Sequence, residues 1–483
     1  MFLPLRKVYL DHNATTPLHP RVIKIMHTAM RKNYGNPSSL HTQGRQARGA
    51  LESARAQIAA LLGAAPERLV FTSGGSEANN TVLKGLFSGR RGGHMITSKI
   101  EHDSILGAAR QLQKDGVAVT MVNAGADGRV KAEEIAAAVR DDTRLISIMH
   151  ANNETGAIQP LLEIRDICRQ GRIFFHSDAV QSAGKIAINV NQLDCDFLTA
   201  SAHKFNGPKG VGILYVKDRS HCESLIFGGS QENYFRAGTE NLCAIVGMGE
   251  AALLKSDDIQ ARSQRLRRLR DFFLDELRKI FPELKVNEAA ESCQLPGTMN
   301  LTFPGIAGVR LLAGLDSCAV AVSIGSACTA DNIEPSHVLL GMGLDAAAAL
   351  SSIRLSMGDN TGMADLRAAL KAFKIVLNTA LSNFEYIMPE NLEKYLNEDD
   401  VFLIDLRTPL ERMLTQGLEG AHEWSHINFD RFIKKIPFKK TVLMVCGTGL
   451  YSTLAGDRLA RAGHPRVKVI YGGYGGLRAL KRI

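Results

Sequence analysis

Short apolar runs that end in polar clusters set the strongest limit on how this 483-residue chain can fold. The runs RLVFTSGG, GHMITS, TRLISIMHANN, RIFFHSDAV and GVGILYV read as buried strands bounded by turn residues. Helical patterns such as QARGALESARAQIAALLGA and EEIAAAVRDD lie between several of them. Strands alternating with helices predict a mainly parallel α/β sheet, because helical crossovers cover the sheet faces. Ligands of such sheets gather at the carboxyl ends of the strands. The clusters TSGGSEANN, NNETG, SDAVQ and SAHK each follow or end an apolar run, so the pattern predicts that they meet at one edge.

Near residue 255 the grammar changes. A charged helical stretch, ARSQRLRRLRDFFLDELRKIF, leads into a second, smaller α/β region ending near residue 382. A new segment opens at MPENLEKYLNEDDVFLIDLRTP and closes with TVLMVCGTGLYSTLAGDRLARAG and KVIYGGYGG. The expected organisation is one part over residues 1–382 and another over 387–483, divided near Asn383 to Pro389. The first part splits into a large domain over about 15–255 and a small domain of the N-terminal segment plus about 256–382.

Composition removes several function classes. Hydrophobic residues at 45% and charged residues at 22% belong to a folded globular chain. The net charge of +9 is spread without a basic tail, and RFIKKIPFKK at 431–440 reads as a solvated face, so no nucleic-acid partner is expected. Cysteines at 168, 195, 222, 243, 293, 318, 328 and 446 form no C-x-x-C pair, which suits neither a metal site nor a disulfide framework. Reduced thiols in a cytoplasmic protein are the simplest account. The N-terminus lacks a long apolar h-region and no run of 18 apolar residues occurs, so neither secretion nor a membrane partner is expected.

Within SAHKFNGPKG, Lys204 stands among small and rigid residues, as an amine that bonds covalently to a cofactor would. Ser201 and His203 beside it can hydrogen-bond a phosphate. Asp178 ends the apolar run RIFFHSD, where a carboxylate can pair with a pyridinium nitrogen and keep the ring an electron sink. Gly74, Gly75 and Ser76 open a helix whose backbone N–H groups can receive a phosphate. A lone lysine is usually a surface residue and a Gly-Gly turn is usually only a turn. Lysine, ring-pairing acid and phosphate loop in this order specify pyridoxal phosphate. Lys209 competes for the covalent role, but it lacks a flanking histidine and begins the run GVGILYV.

The segments YLDHNATTP, GNPSSLH, TSGGSEANN, IEHDSIL, NNETGAIQP, HSDAVQSAGK, SAHKFNGPKG, RAGTEN and GSACTA carry a further likeness. In this order, over roughly residues 8–375, they resemble the group I cysteine desulfurases of the nitrogen-fixation and iron–sulfur type. The resemblance implies a fold-type-I, aminotransferase class V-like homodimer that converts L-cysteine to L-alanine and an enzyme-bound persulfide. It implies Lys204 as the cofactor's covalent anchor and later the base for the substrate's α-proton. His102 would stack on the ring and assist proton transfers, Asp178 would pair with the ring nitrogen, and Gln181 would bond the phenolic oxygen. Gly75, Ser76, Ser201 and His203 would hold the phosphate, and Thr239 would reach the phosphate of the neighbouring subunit. Asn153 and Arg354 would grip the substrate carboxylate, Arg354 through its planar fork. After Arg354 the run RLSMGDNTGM departs from the family's usual second basic residue, which bears on the substrate channel.

Two cysteines stand apart from the others. Cys168 and Cys243 lie among apolar residues in helical patterns, the ordinary fate of a lone cysteine. Cys328 lies in SIGSACTADNIEP, small residues without periodicity, which predicts a mobile loop carrying a nucleophilic thiol. Cys446 ends the apolar run TVLMVC before a loop that opens a helix, where backbone N–H groups stabilise a thiolate or persulfide. IDLRTPLE, VCGTGLYS and YGGYGGLRAL resemble a rhodanese (sulfurtransferase) domain over about 387–483. Cys446 matches its persulfide carrier, and Asp405 and Arg407 match its early strand signature. GLEGAHEW stands where the family usually has Gly-His-Ile-Pro-Gly-Ala, and Gly447 and Tyr451 leave the loop little positive charge, which argues against thiosulfate as donor. The expected function is a desulfurase that relays sulfur from Cys328 to Cys446 and on to an iron–sulfur scaffold or a thiolation enzyme. The competing expectation is a selenocysteine lyase or aminotransferase with an inactive, docking rhodanese domain.

Overall fold

In the computed structural model, which describes residues 6–89, 92–325, 334–379, 384–396, 400–415 and 417–479, a seven-stranded sheet carries the polar clusters. Its strands are β1 (Leu69–Thr72), β2 (His94–Ser98), β3 (Ala118–Val122), β4 (Thr143–Ser147), β5 (Phe174–Asp178), β6 (Phe197–Ser201) and β7 (Gly212–Val216). Their spatial order is β1-β7-β6-β5-β4-β2-β3. The run from β3 to β6 is parallel, whereas β7 is antiparallel to both β6 and β1. The exception has a simple cause. Residues 202–211 join β6 to β7, too short a link for the helical crossover a parallel pair needs.

The helices α1 (Pro20–Lys32), α2 (Thr42–Leu62), α3 (Gly75–Phe87), α4 (Asp103–Lys114) and α5 (Leu242–Ser256) belong to this unit. Helix α2 begins where His41 accepts a hydrogen bond from the Gly44 N–H, and it stops at Gly63, whose φ of 63° only glycine adopts without strain. Its Ala47, Leu51, Ala54, Ile58 and Leu62 recur at helical spacing and are all buried. Burying each of the larger of these side chains contributes about 1.5–3 kcal/mol.

A smaller unit is built on β8 (Lys285–Val286), β9 (Thr298–Thr302) and β10 (Ser352–Ser356), an antiparallel sheet ordered β10-β9-β8. It is covered by α6 (Ile259–Ile280), α7 (Gly308–Ser317) and α8 (Met363–Thr379). Phe273 and Phe303 both pack on Phe373, with ring centroids 5.9 and 5.8 Å apart. The N-terminal segment joins this unit, since Val8–Tyr9 pairs in parallel with Val320–Ala321. Residues 11–16 therefore pass between the two units. Asp359, at the departure from the family pattern, binds Lys255 of α5 and lies 3.6 Å from Arg262 of α6. It ties the units together, and it also lines a cavity that contains Lys204.

The C-terminal unit has five parallel strands, β11 (Glu385–Ile387), β12 (Val401–Asp405), β13 (His422–Glu423), β14 (Thr441–Val445) and β15 (Val467–Ile470), ordered β11-β15-β14-β12-β13. Helix α9 (Leu450–Arg461) follows β14 and buries Ala455 and Leu459 against Val442, Met444 and Val469. Among the described residues no helix is long and apolar enough to cross a membrane.

Candidate active site

Strands β1, β5 and β6 deliver their carboxyl ends to one edge, each followed at once by a polar residue set. After β1 the chain turns into α3. A Cβ added at Gly75 would lie 2.8 Å from Val180 Cγ2, so only glycine lets the helix start this close to the β5 end. Gly75 and Ser76 form the first turn, where backbone N–H groups lack intrahelical acceptors and suit an anion.

Asp178 ends β5 nearly buried. Its Oδ2 accepts a 2.7 Å hydrogen bond from Asn79 Nδ2, and its Oδ1 accepts one of 2.9 Å from the Val180 N–H. Asn79 Nδ2 also donates to Ser104 Oγ at 2.9 Å. Ser104 Oγ in turn lies 2.9 Å from Nδ1 of His102, the N-cap of α4. A hydrogen-bonded chain thus links Asp178 to His102.

Strand β6 ends at the buried Ser201, and a 3-10 turn over Ala202–Lys204 follows. Lys204 Nζ donates to the carbonyls of Asn13 at 2.6 Å and Ala14 at 2.9 Å. Lys209, the competing lysine, is exposed. Burial pushes the His203 pKa down to about 4, aided by the nearby charges of Lys204, Lys209 and Lys185. At neutral pH its ring therefore contributes a neutral N–H, not a second positive charge. Gln181 Nε2 donates to the Asn13 carbonyl at 3.0 Å, while its Oε1 accepts from Lys185 Nζ at 2.8 Å. With Lys185 on the oxygen and the Asn13 carbonyl on one N–H, the second amide N–H is what Gln181 can offer a ligand oxygen. Burial, then the charges of Lys204, Lys255 and Arg354, holds the Lys185 amine well below the ordinary lysine range.

Arg354 comes from β10 and is almost wholly buried. Its Nη2 pairs with Asp11 Oδ1 at 2.7 Å and its Nη1 donates to the Asn153 carbonyl at 3.3 Å. Its Nε has no hydrogen-bond partner among the described residues. Asn153 is half-buried beside it. Thr239 lies elsewhere, exposed on the wall of a separate cavity with Ser73 and Arg236. Cys328 lies outside the described residues.

Cys446 directly follows β14 and is fully buried. Its Sγ accepts from the Ser452 N–H at 3.3 Å, in the first turn of α9, with Ser452 Oγ 3.5 Å away. Asp405 and Arg407 clamp the neighbouring strand end through Nη2–Oδ2 at 2.7 Å, and the guanidinium lies 3.9 Å over the Tyr474 ring. Tyr474 N–H donates to the Cys446 carbonyl at 2.8 Å, which fixes the loop. Tyr451 stacks on His426 with ring centroids 3.8 Å apart. Cys168 is buried, and burial pushes its pKa far up, as suits a packing thiol.

The residues reasoning from sequence left out are Asp11, Asn13, Asn79, Glu101 and Lys185. All lie inside quoted motifs, but no local spacing says which motif meets which. Glu101 is fully buried. Its Oε1 accepts from Ser98 Oγ at 2.7 Å and from the Met149 N–H at 3.0 Å, and its Oε2 has no partner among the described residues. Burial raises its pKa from 4.5 to about 8, against the two hydrogen bonds that lower it. The folded protein thus keeps a proton that the unfolded chain releases above 4.5. This stabilisation is complete below 4.5 and is lost as pH rises through about 8. Glu101→Gln removes the titration while keeping the shape. Urea unfolding between about pH 5 and 9 should show the variant gaining on the wild type as pH rises, then levelling off. A pH-independent difference would count against a protonated Glu101.

The donor set fits pyridoxal phosphate: a buried carboxylate for the ring nitrogen, an amide N–H for the phenolic oxygen, a lysine amine, and a helix start with Ser201 and His203 for the phosphate. The unpartnered N–H of Arg354 suits a substrate carboxylate.

Residues 8–368 match the aminotransferase class-V family model, and residues 388–479 match that of the rhodanese-like domain. The cysteine desulfurase IscS of Dictyoglomus turgidum is 42% identical over 395 residues, 81% of this chain and 99% of that protein. A putative cysteine desulfurase IscS 1 of Bacillus subtilis is 42% identical over 76% of this chain and 97% of its own. Among solved structures, a NifS-like protein aligns with a TM-score of 0.72 at 34% identity, covering 77% of this chain and all of its own. SspA in complex with cysteine aligns with a TM-score of 0.64 at 36% identity, over 72% of this chain and 98% of its own.

Proposed function

This chain belongs to the aminotransferase class-V family and to the cysteine desulfurases within it, with a rhodanese-like domain behind, and on that premise we propose how its residues divide the work. The enzyme is a pyridoxal-phosphate-dependent cysteine desulfurase. Residues 1–382 carry the desulfurase part and 387–483 the rhodanese part. Gly75, Ser76, Ser201 and His203 hold the cofactor's phosphate, Asp178 its ring nitrogen and Gln181 its phenolic oxygen, with His102 on the ring face and Lys204 as the covalent anchor. When bound, the cofactor supplies an electron sink beside the substrate's α-carbon.

Arg354 and Asn153 orient L-cysteine by its carboxylate, and Lys204 takes up and returns the α-proton. The Cys328 thiolate attacks the substrate sulfur, so that a persulfide stays on the enzyme and L-alanine leaves. Cys446 receives that sulfur and passes it to an acceptor protein of iron–sulfur assembly or thiolation. The observation that carries the substrate assignment is the Nε of Arg354, buried and unpartnered among the described residues, on a side chain whose Nη1 meets the Asn153 carbonyl.

A homodimer completes the site. Met30, Tyr34, Phe227 and Tyr234 are large apolar side chains left 61–80% exposed. Met30 and Tyr34 share a cavity wall with Thr239, whose hydroxyl would serve the neighbouring subunit's phosphate. The seven described cysteines are all free thiols, which suits the cytoplasm.

The test is mass spectrometry of peptides from the full-length holoenzyme after brief exposure to L-cysteine without acceptor or reductant. One extra sulfur on both the Cys328 and the Cys446 peptides is the expected result. Sulfur on Cys328 alone would remove the relay and leave a plain desulfurase.

A further inference from the structure

Asn79 and Ser104 take no part in the work proposed for Asp178 and His102, yet they lie between those two residues. Asn79 sits on α3 and is completely buried, and Ser104 lies in the first turn of α4. The Asn79 amide nitrogen has two hydrogens, and both are used. Nδ2 lies 2.7 Å from Asp178 Oδ2 and 2.9 Å from Ser104 Oγ. The opposite orientation of the amide would set Oδ1 against the carboxylate oxygen, acceptor against acceptor. Asn79 Oδ1 is instead buried without a hydrogen-bond partner among the described residues. A buried oxygen left in that state destabilises a fold, so the amide stands here for what its nitrogen holds.

The orientation of Asn79 decides the next bond. An amide nitrogen only donates, so Ser104 Oγ accepts from Asn79 and has its own hydrogen left for His102 Nδ1, 2.9 Å away. The Ser104 backbone N–H also points at Nδ1, at 3.1 Å. Two donors therefore converge on His102 Nδ1, and a hydrogen on that nitrogen would oppose the backbone N–H. Nε2 is left to carry the hydrogen of the ring. Because Asp178 and Ser104 share one amide, the histidine is also fixed relative to the acid, although the acid ends β5 and the histidine caps α4.

We infer that Asn79 and Ser104 are positioning residues that hold His102 with Nδ1 unprotonated and its hydrogen on Nε2. His102 then serves the reaction as a hydrogen-bond donor through Nε2, and Lys204 alone carries the α-proton. An imidazole of this tautomer takes up a further proton only at Nδ1, where the two donors stand in the way. The inference rests on the place proposed for His102 at the cofactor ring.

Nuclear magnetic resonance of the full-length holoenzyme, with ¹⁵N in its histidine rings, reads the tautomer directly. The His102 signals are those that disappear in His102→Gln. A hydrogen on Nε2 and none on Nδ1 is the expected result, and a hydrogen on Nδ1 would overturn the inference. Kinetics read the positioning. Ser104→Ala should lower kcat for alanine formation about tenfold and leave KM for L-cysteine within about twofold, because one hydrogen bond to Nδ1 is lost and no substrate contact is. Ser104→Thr, which restores a hydroxyl, should recover most of the rate. Asn79→Leu keeps the shape but releases both Asp178 and Ser104. It should raise the dissociation constant for pyridoxal phosphate about tenfold as well as lower kcat. Unchanged kcat in Ser104→Ala, or unchanged cofactor affinity in Asn79→Leu, would overturn the inference. His102→Gln with full alanine formation would instead overturn the role of His102 itself, whatever its tautomer.

Discussion

Lys204→Ala is expected to lower alanine formation by about 10³-fold or more, because the proposed function gives one side chain the roles of both covalent anchor and proton carrier. Its Nζ is held by the Asn13 and Ala14 carbonyls at the β6 edge, beside Ser201 and His203. Five positions on, the exposed Lys209 offers a control within the same motif. Lys209→Ala should change the rate by less than about twofold, as for most surface substitutions. Steady-state alanine production with a strong reductant, together with the visible absorption of the bound cofactor, reads both variants. A Lys204→Ala enzyme within tenfold of wild type would move the covalent role elsewhere.

Arg354→Gln should lower kcat/KM for L-cysteine by about 10²–10³-fold, the range for losing one partner of a buried charged pair. A structural explanation competes, since the substitution also strips Asp11 of its partner at 2.7 Å. Adding Asp11→Asn separates the two. The double variant should regain thermal stability, because no unpaired carboxylate remains, while kcat/KM stays low. Recovery of the rate together with stability would make Arg354 a structural residue with no hold on the substrate.

The parallel core of the large sheet was legible because strand and helix patterns alternate with distinct periods. The antiparallel β7 was not read, although its short link from β6 held the clue. Gly75 was legible as the opening of a helix after β1, but the reason for glycine, its approach to Val180, belongs to the packing of α3 on β5. Asn79, Asn13 and Lys185 were hidden for another reason. Asn79 meets Asp178 across 99 positions and Lys185 meets Asn13 across 172, distances over which a single sequence carries no pairing signal. Asp359 shows the opposite case. As a departure from a family pattern it pointed toward the substrate channel, and it does line a cavity with Lys204, but no local pattern announced its ion pairs with Lys255 and Arg262, which join the units.

By itself the sequence determined the reactive residue types, the order of the motifs and the two-part organisation, since these depend on local chemistry and periodicity. Only the tertiary structure decided which side chains share hydrogen bonds and which groups lose their charge. Those follow from burial and from contacts between distant segments. Glu101 is a carboxylate in the sequence and a neutral acid in the fold, because the water that would stabilise its charge has been excluded.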